Sequence, residues 1–173
     1  PGVASIPVFW LFFVLEYIGQ SALLTRRNKA IFWLIPSLIV LAVWTNDIHH
    51  LVYTEETHIQ ITGGLTLLVA DHGPLFLLYL IYSYLLLGVG STLLLVQTFR
   101  LSSLFRSQAL AILLAVISPW IGSAIYVAGL SPIPGLDLTP FAFIPTGVIL
   151  AWAITRRQLL QVIPPAQNAI MQS

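Results

Sequence analysis

The chain contains no cysteine, which excludes disulfides, thiolate metal sites and cysteine nucleophiles without saying which compartment its loops face. Charge is almost as scarce. Only 8% of the 173 residues are Asp, Glu, Lys or Arg, against about a quarter in soluble domains, too few to clothe a water-soluble globule. The sole lysine is Lys29, in the connection after the first apolar run. Retinal chemistry, which needs a lysine amine buried in mid-membrane, is therefore excluded. Glu16 is the one ionisable residue inside an apolar run, whereas pumps carry several near the bilayer centre; a transporter is not expected. The sequence also lacks a Gly-rich phosphate loop, a Ser/His/Asp set, a paired-carboxylate site and any basic patch for nucleic acid. No catalytic residue, metal or cofactor is expected. The chain opens at Pro1 without a signal-peptide pattern, and is expected to be a piece of a longer protein.

What is present is apolar: 58% of the residues, with a mean hydropathy of +0.93. Runs at roughly 3–21, 30–46, 74–99, 107–130 and 138–156 are long enough to cross a ~30 Å hydrocarbon layer. The expected fold is an all-α integral membrane helix bundle of about five transmembrane helices, in residues 1–156, with a small outer β-hairpin in loop 47–73. A cytoplasmic exit linker, 157–173, is broken by Pro164-Pro165. The basic residues occupy alternate connections, at Arg26, Arg27 and Lys29, at Arg100 and Arg106, and at Arg156 and Arg157. Five acids and all four histidines occupy the others. The positive-inside rule then places the N-terminus outside and the C-terminus in the cytoplasm of a multi-pass inner-membrane protein.

Pro7, Pro36, Pro119 and Pro145 fall in the spans, where each removes a backbone hydrogen bond or bends its helix. Ala111, Ala115, Ser118 and Gly122 recur at steps of four, three and four, a stripe along which another helix backbone can approach. In the long loop, residues 51–54, 57–61 and 65–69 alternate as short strands about Thr62-Gly63-Gly64. Pro74, after Gly73, is placed to open the next helix.

Phe76, Tyr79, Tyr82 and Ser83 share one helix face by spacing, and Trp44, Trp120 and Tyr126 lie at similar depth. Tyr79, Tyr82, Ser83, Trp120 and Tyr126, with Asn46 and His49 at the loop entrance, form a candidate site for a small apolar ligand. The competing reading is an interfacial aromatic belt with core packing. Glu16 lies at the membrane face that also carries Arg26, Arg27, Arg156 and Arg157, a set expected to form a structural ion pair or a signalling latch. His49, His50, His58, Glu55, Glu56, Asp71 and His72 supply metal-binding atoms, but in no recognised metal spacing.

Several of these residues recur in order within longer matching pieces. They are Phe12 to Gly19 with Leu24 to Asn28, Pro36, Thr45-Asn46 with His49 and Leu51, Gly63-Gly64, Gly73-Pro74 and Tyr82-Ser83-Tyr84. Arg106 with Gln108, Gly129 with Pro132, Gly135 to Pro140, Ala151 to Ala153, and Leu159-Leu160 with Val162 and Pro164 follow. Across essentially the whole chain these pieces resemble the seven-transmembrane N-terminal region of bacterial and archaeal histidine kinases, a sensor module also found before diguanylate cyclases. The resemblance implies that the five spans correspond to the third to seventh helices of that module, two helices lying further upstream. It also implies a sensory input domain that detects an outer or membrane-borne cue and passes motion through the last span to a cytoplasmic kinase or cyclase. Pro165 and Gln161 depart from the usual exit linker. Beside the lipid bilayer, the expected partners are other transmembrane helices or a second copy of the chain. The alternative expectation is a structural membrane subunit whose sensor fold packs in a larger complex or binds pigment or lipid.

Overall fold

The computed structural model describes residues 2–62, 64–99, 103–133 and 135–157. The expected linker beyond Arg157 lies outside them. The chain is mostly helical: α1 (Gly2–Tyr17), a 3-10 turn (Ser21–Leu23), α2 (Arg26–Trp44), α3 (Asn46–His49), α4 (Pro74–Thr98), α5 (Ser103–Val127) and α6 (Thr139–Arg157). Strands β1 (His58–Thr62) and β2 (Leu65–Val69) form a two-stranded sheet.

Helix boundaries follow local chemistry. Helix α1 ends four residues before the apolar run does, because Gly19 takes a left-handed φ of 76° and the Gln20 amide turns back onto the Leu15 carbonyl at 2.8 Å, a glycine C-terminal closure. Helix α2 starts earlier than hydropathy suggests. The Thr25 side chain accepts the Asn28 amide at 3.2 Å, an N-cap that draws Arg26, Arg27 and Lys29 out of the expected loop and into the first turn. Pro74 opens α4 after Gly73. At 25 residues, α4 is about 37 Å long, enough to cross a bilayer. By length and composition α2, α4 and α5 qualify as membrane spans, and α1 and α6 are shorter apolar helices.

The hairpin pairs antiparallel from His58 with Val69 to Thr62 with Leu65, and an isolated bridge between Tyr53 and His72 carries the pairing towards its base. Gly64 holds the turn at a φ of 81°.

Helix α4 is central. Val8, Leu11 and Leu15 of α1 bury against its Leu86, while Trp10 and Val14 meet Leu87 and Leu94 together with Ala109, Ile112 and Leu113 of α5. Gly90 admits the indole of Trp10: a Cβ there would stand 2.8 Å from Nε1. Helix α6 packs on α5 along the small-residue stripe. Ser118 Oγ donates to the Ala142 carbonyl at 3.0 Å, Thr146 Oγ1 donates to the Ala115 carbonyl at 2.7 Å, and a Cβ on Gly122 would fall 3.0 Å from Ala142 Cβ. Helix α2, by contrast, buries only Pro36 and Ile39. The described basic residues Arg26, Arg27, Lys29 and Arg106 and the hairpin fall at opposite ends of the helices, here the basic end and the hairpin end.

Candidate functional site

A cleft of about 250 Å³ opens between α1, α2 and α4 at the hairpin end. Val3 and Ala4 form one wall, Ile39, Val40, Val43 and Trp44 a second, and Phe76 and Tyr79 a third, with Val52 and Tyr53 across the mouth. None of these residues carries a charge. The Tyr79 hydroxyl donates to the Val3 carbonyl at 3.3 Å, leaving aliphatic and aromatic surface as the main lining. A space of this size and chemistry suits a small apolar guest with little polar demand.

The roof is held from both sides. Asn46 Oδ1 accepts the Val52 and Tyr53 amides at 3.0 and 3.1 Å, and its Nδ2 donates to the Tyr53 carbonyl at 2.9 Å. One side chain at the α2–α3 junction thus satisfies three backbone groups of the loop. His49 Nδ1 accepts the Leu51 amide at 3.0 Å; this places the ring proton on Nε2, which faces Thr45 Oγ1 at 3.2 Å. From α4, the Gly73 amide donates to the Val52 carbonyl at 2.9 Å and the Leu75 amide to the Leu51 carbonyl at 3.0 Å. Gly73 cannot be replaced here, because a Cβ would collide with the Leu51 carbonyl. Val52 is 1% exposed as a result.

Beside the roof stands an aromatic group. The His72 imidazole stacks on Phe76 with centroids 3.8 Å apart, meets Tyr126 edge-on at 6.0 Å, and lies 6.1 Å from Tyr53. Burial pushes the His72 imidazole below its ordinary value, against the upward pull of the neighbouring Asp71 carboxylate. Asp71 is itself engaged: its Oδ2 accepts from Thr54 Oγ1 at 2.5 Å.

The residues singled out from sequence do not converge on one wall. Tyr79 lines the cleft, with Trp44 and Phe76. Tyr82 instead donates to the Phe32 carbonyl at 2.5 Å and packs with the α1 and α2 side chains below, and Ser83 is buried on α4. Trp120 pairs with Tyr84 at 5.7 Å on the far side of α4. Tyr126 stands beside the roof, edge-on to His72 and within electrostatic reach of Tyr53. Asn46 has its polar atoms committed to the loop, and His49 has its ring nitrogens on the Leu51 amide and Thr45, so both shape the mouth without offering free groups to its interior. The single face expected for Phe76, Tyr79, Tyr82 and Ser83 is therefore shared among the cleft, the α2 seam and the core. Val3, Ala4, Ile39 and Val40 gave no sequence signal, being ordinary apolar residues. Val52 and Tyr53 were visible only as strand-like.

Glu16 is exposed at the end of α1 and makes no ion pair with Arg26 or Arg27 among the described residues; the side chains of Arg156 and Arg157 lie outside that set. The loop histidines are dispersed. His50 faces Glu55 at 3.8 Å, His58 Nδ1 faces the Glu56 carbonyl at 2.7 Å, and among the described residues no three His, Asp or Glu side chains gather as a metal site.

In comparisons with known proteins, a family model described as the N-terminal 7TM region of histidine kinase matches residues 1–164. No curated protein and no solved structure matches the chain.

Proposed function

The chain belongs to the N-terminal 7TM region of histidine kinase family, a membrane sensory input region, and from that membership we propose that its cleft receives an outer or membrane-borne cue and that α6 relays it to a cytoplasmic kinase or cyclase. The observation that carries this reading is the cleft itself: three helices wall it, and a loop tied to two of them covers it. A ligand shifts a conformational equilibrium only through different affinities for its states. A guest between α1, α2 and α4 touches the surfaces that would change if those helices moved. From α4 the route to the last helix runs through the Leu87, Leu94 and Ile112 core and then along the α5–α6 seam.

In this reading all five long apolar helices cross the inner membrane. The basic end faces the cytoplasm by the positive-inside rule, so the hairpin and cleft are outside, the N-terminus is outside and the C-terminus inside. The guest is a small apolar molecule. Reconstituted protein photolabelled with a diazirine-bearing octanol tests the cleft: label is expected on Val52 and Tyr53, which do not face lipid, and is expected to vanish in Val40→Trp. Equal labelling of both proteins would sink the cleft. In the full-length gene product, Val40→Trp is expected to abolish a cue-dependent change in output while leaving insertion intact.

The little-buried α2, with Ile31, Leu34, Leu38 and Leu41 all more than half exposed, supports a second reading as a structural subunit packed against other transmembrane helices or a second copy. Stoichiometric copurification with a larger complex, without any cue-dependent output, would favour it.

A further inference from the structure

We propose that His72 is a proton-operated latch on the cleft roof: neutral, it holds Tyr53 down over the cavity, and its protonation from the hairpin side releases the roof. The latch rests on the reading of the cleft as the site of the cue.

Geometry carries the argument. The imidazole lies between Phe76 and Tyr126 and beside Tyr53, and two of those three rings, Tyr53 and Phe76, line the cleft. The backbones of Tyr53 and His72 are bridged directly. Next in the chain, Gly73 donates to the Val52 carbonyl, so residue 72 cannot shift without drawing on both roof residues. A charge on the ring is opposed twice: it is partly desolvated among aromatics, and it stands just ahead of the N-terminus of α4, where the helix dipole disfavours a cation. It is favoured by Asp71 on its own segment and by the face of Phe76. The other groups facing it are Tyr53 from the loop and Tyr126 from α5, the latter felt by Asp137; Glu55 is taken up with His50.

Desolvation prevails over Asp71, so the docked imidazole sits below its ordinary value. For a histidine depressed in the docked state, the docked roof is fully stable above the ordinary imidazole value. It loses stability as pH falls through that value, levelling off below the depressed one. Acid therefore opens the roof.

The absence of native cysteine makes the test direct. Val52→Cys places one thiol beneath the roof, and its modification in proteoliposomes by an impermeant methanethiosulfonate reports opening. The rate is divided by that of Val52→Cys/His72→Phe at the same pH, which cancels the thiol's own ionisation and keeps the aromatic stack. The ratio is expected to rise at least about threefold between about pH 7.5 and about pH 5; a flat or falling ratio overturns the latch. If the His72→Phe protein does not accumulate, His72→Gln serves as the non-titrating reference. NMR titration of His72 in nanodiscs decides independently: a midpoint below the ordinary imidazole value supports the latch, and one at or above it overturns it. A flat ratio with octanol photolabelling intact removes the latch and spares the cleft, whereas loss of photolabelling removes the cleft whatever the ratio.

Discussion

The α5–α6 seam and the α2 side of the molecule are built from the same apolar alphabet and behave as opposites. Along the seam, Ala115, Ser118 and Gly122 let α6 come within hydrogen-bonding range of the α5 backbone. Close packing and interhelical hydrogen bonds are what hold helices together when lipid is as apolar as they are. On the other side, bulky Ile39, Val40, Val43 and Trp44 keep α2 at a distance, and a cleft opens where α1, α2 and α4 fail to meet. Side-chain size therefore decides where two helices pack closely and where a cleft is left between them.

That contrast can be broken from either side. The largest effect is expected from Gly122→Leu, which forces a branched side chain against Ala142 and the Leu138 carbonyl; it should destabilise the protein by on the order of 3 kcal/mol, read as a lowered thermal midpoint in detergent. Asn46→Ala removes three hydrogen bonds from the roof, at about 1 kcal/mol or less each, so about 2 kcal/mol is expected. Faster amide exchange at Val52 and Tyr53, with the seam unchanged, would locate it. If Asn46→Ala loosened α5–α6 amides as much as Gly122→Leu, the two regions would not be separable. Tyr82→Phe deletes the bond to the Phe32 carbonyl, the main polar tie between α4 and α2, and should cost about 1 kcal/mol. Leu38→Ala, on an outward surface 55% exposed, should stay within about 0.5 kcal/mol; a larger loss would mean that α2 has a protein neighbour there.

Much of this architecture is legible in the sequence alone. Hydropathy located the five helices, the Gly-Gly signal the hairpin, Gly73-Pro74 the start of α4, and the small-residue stripe the α5–α6 seam, because each depends on local sequence alone. Thr25 and Gly19 emerge as helix-end residues only in the structure, and they set two boundaries that hydropathy by itself misplaces. The site was less legible. Spacing puts Tyr79 and Tyr82 on one face of α4, but a helix with neighbours on several sides splits such a face among them, and only tertiary packing says where. Asn46 looked like a ligand residue because it is polar and near the mouth; an amide there is equally suited to holding a loop, and three short contacts show that it does. Nothing local announces that Gly90 exists to seat Trp10, since the two are eighty residues apart.

Asn46 also has a mechanical consequence. It fastens Val52 and Tyr53 to the α2–α3 junction, while Gly73 and Leu75 fasten the same short stretch to the start of α4. The loop is thus a yoke across two helices: a pull on the hairpin is shared between α2 and α4, and a tilt of either helix is handed to the other at this end, in addition to the Tyr82–Phe32 contact further along.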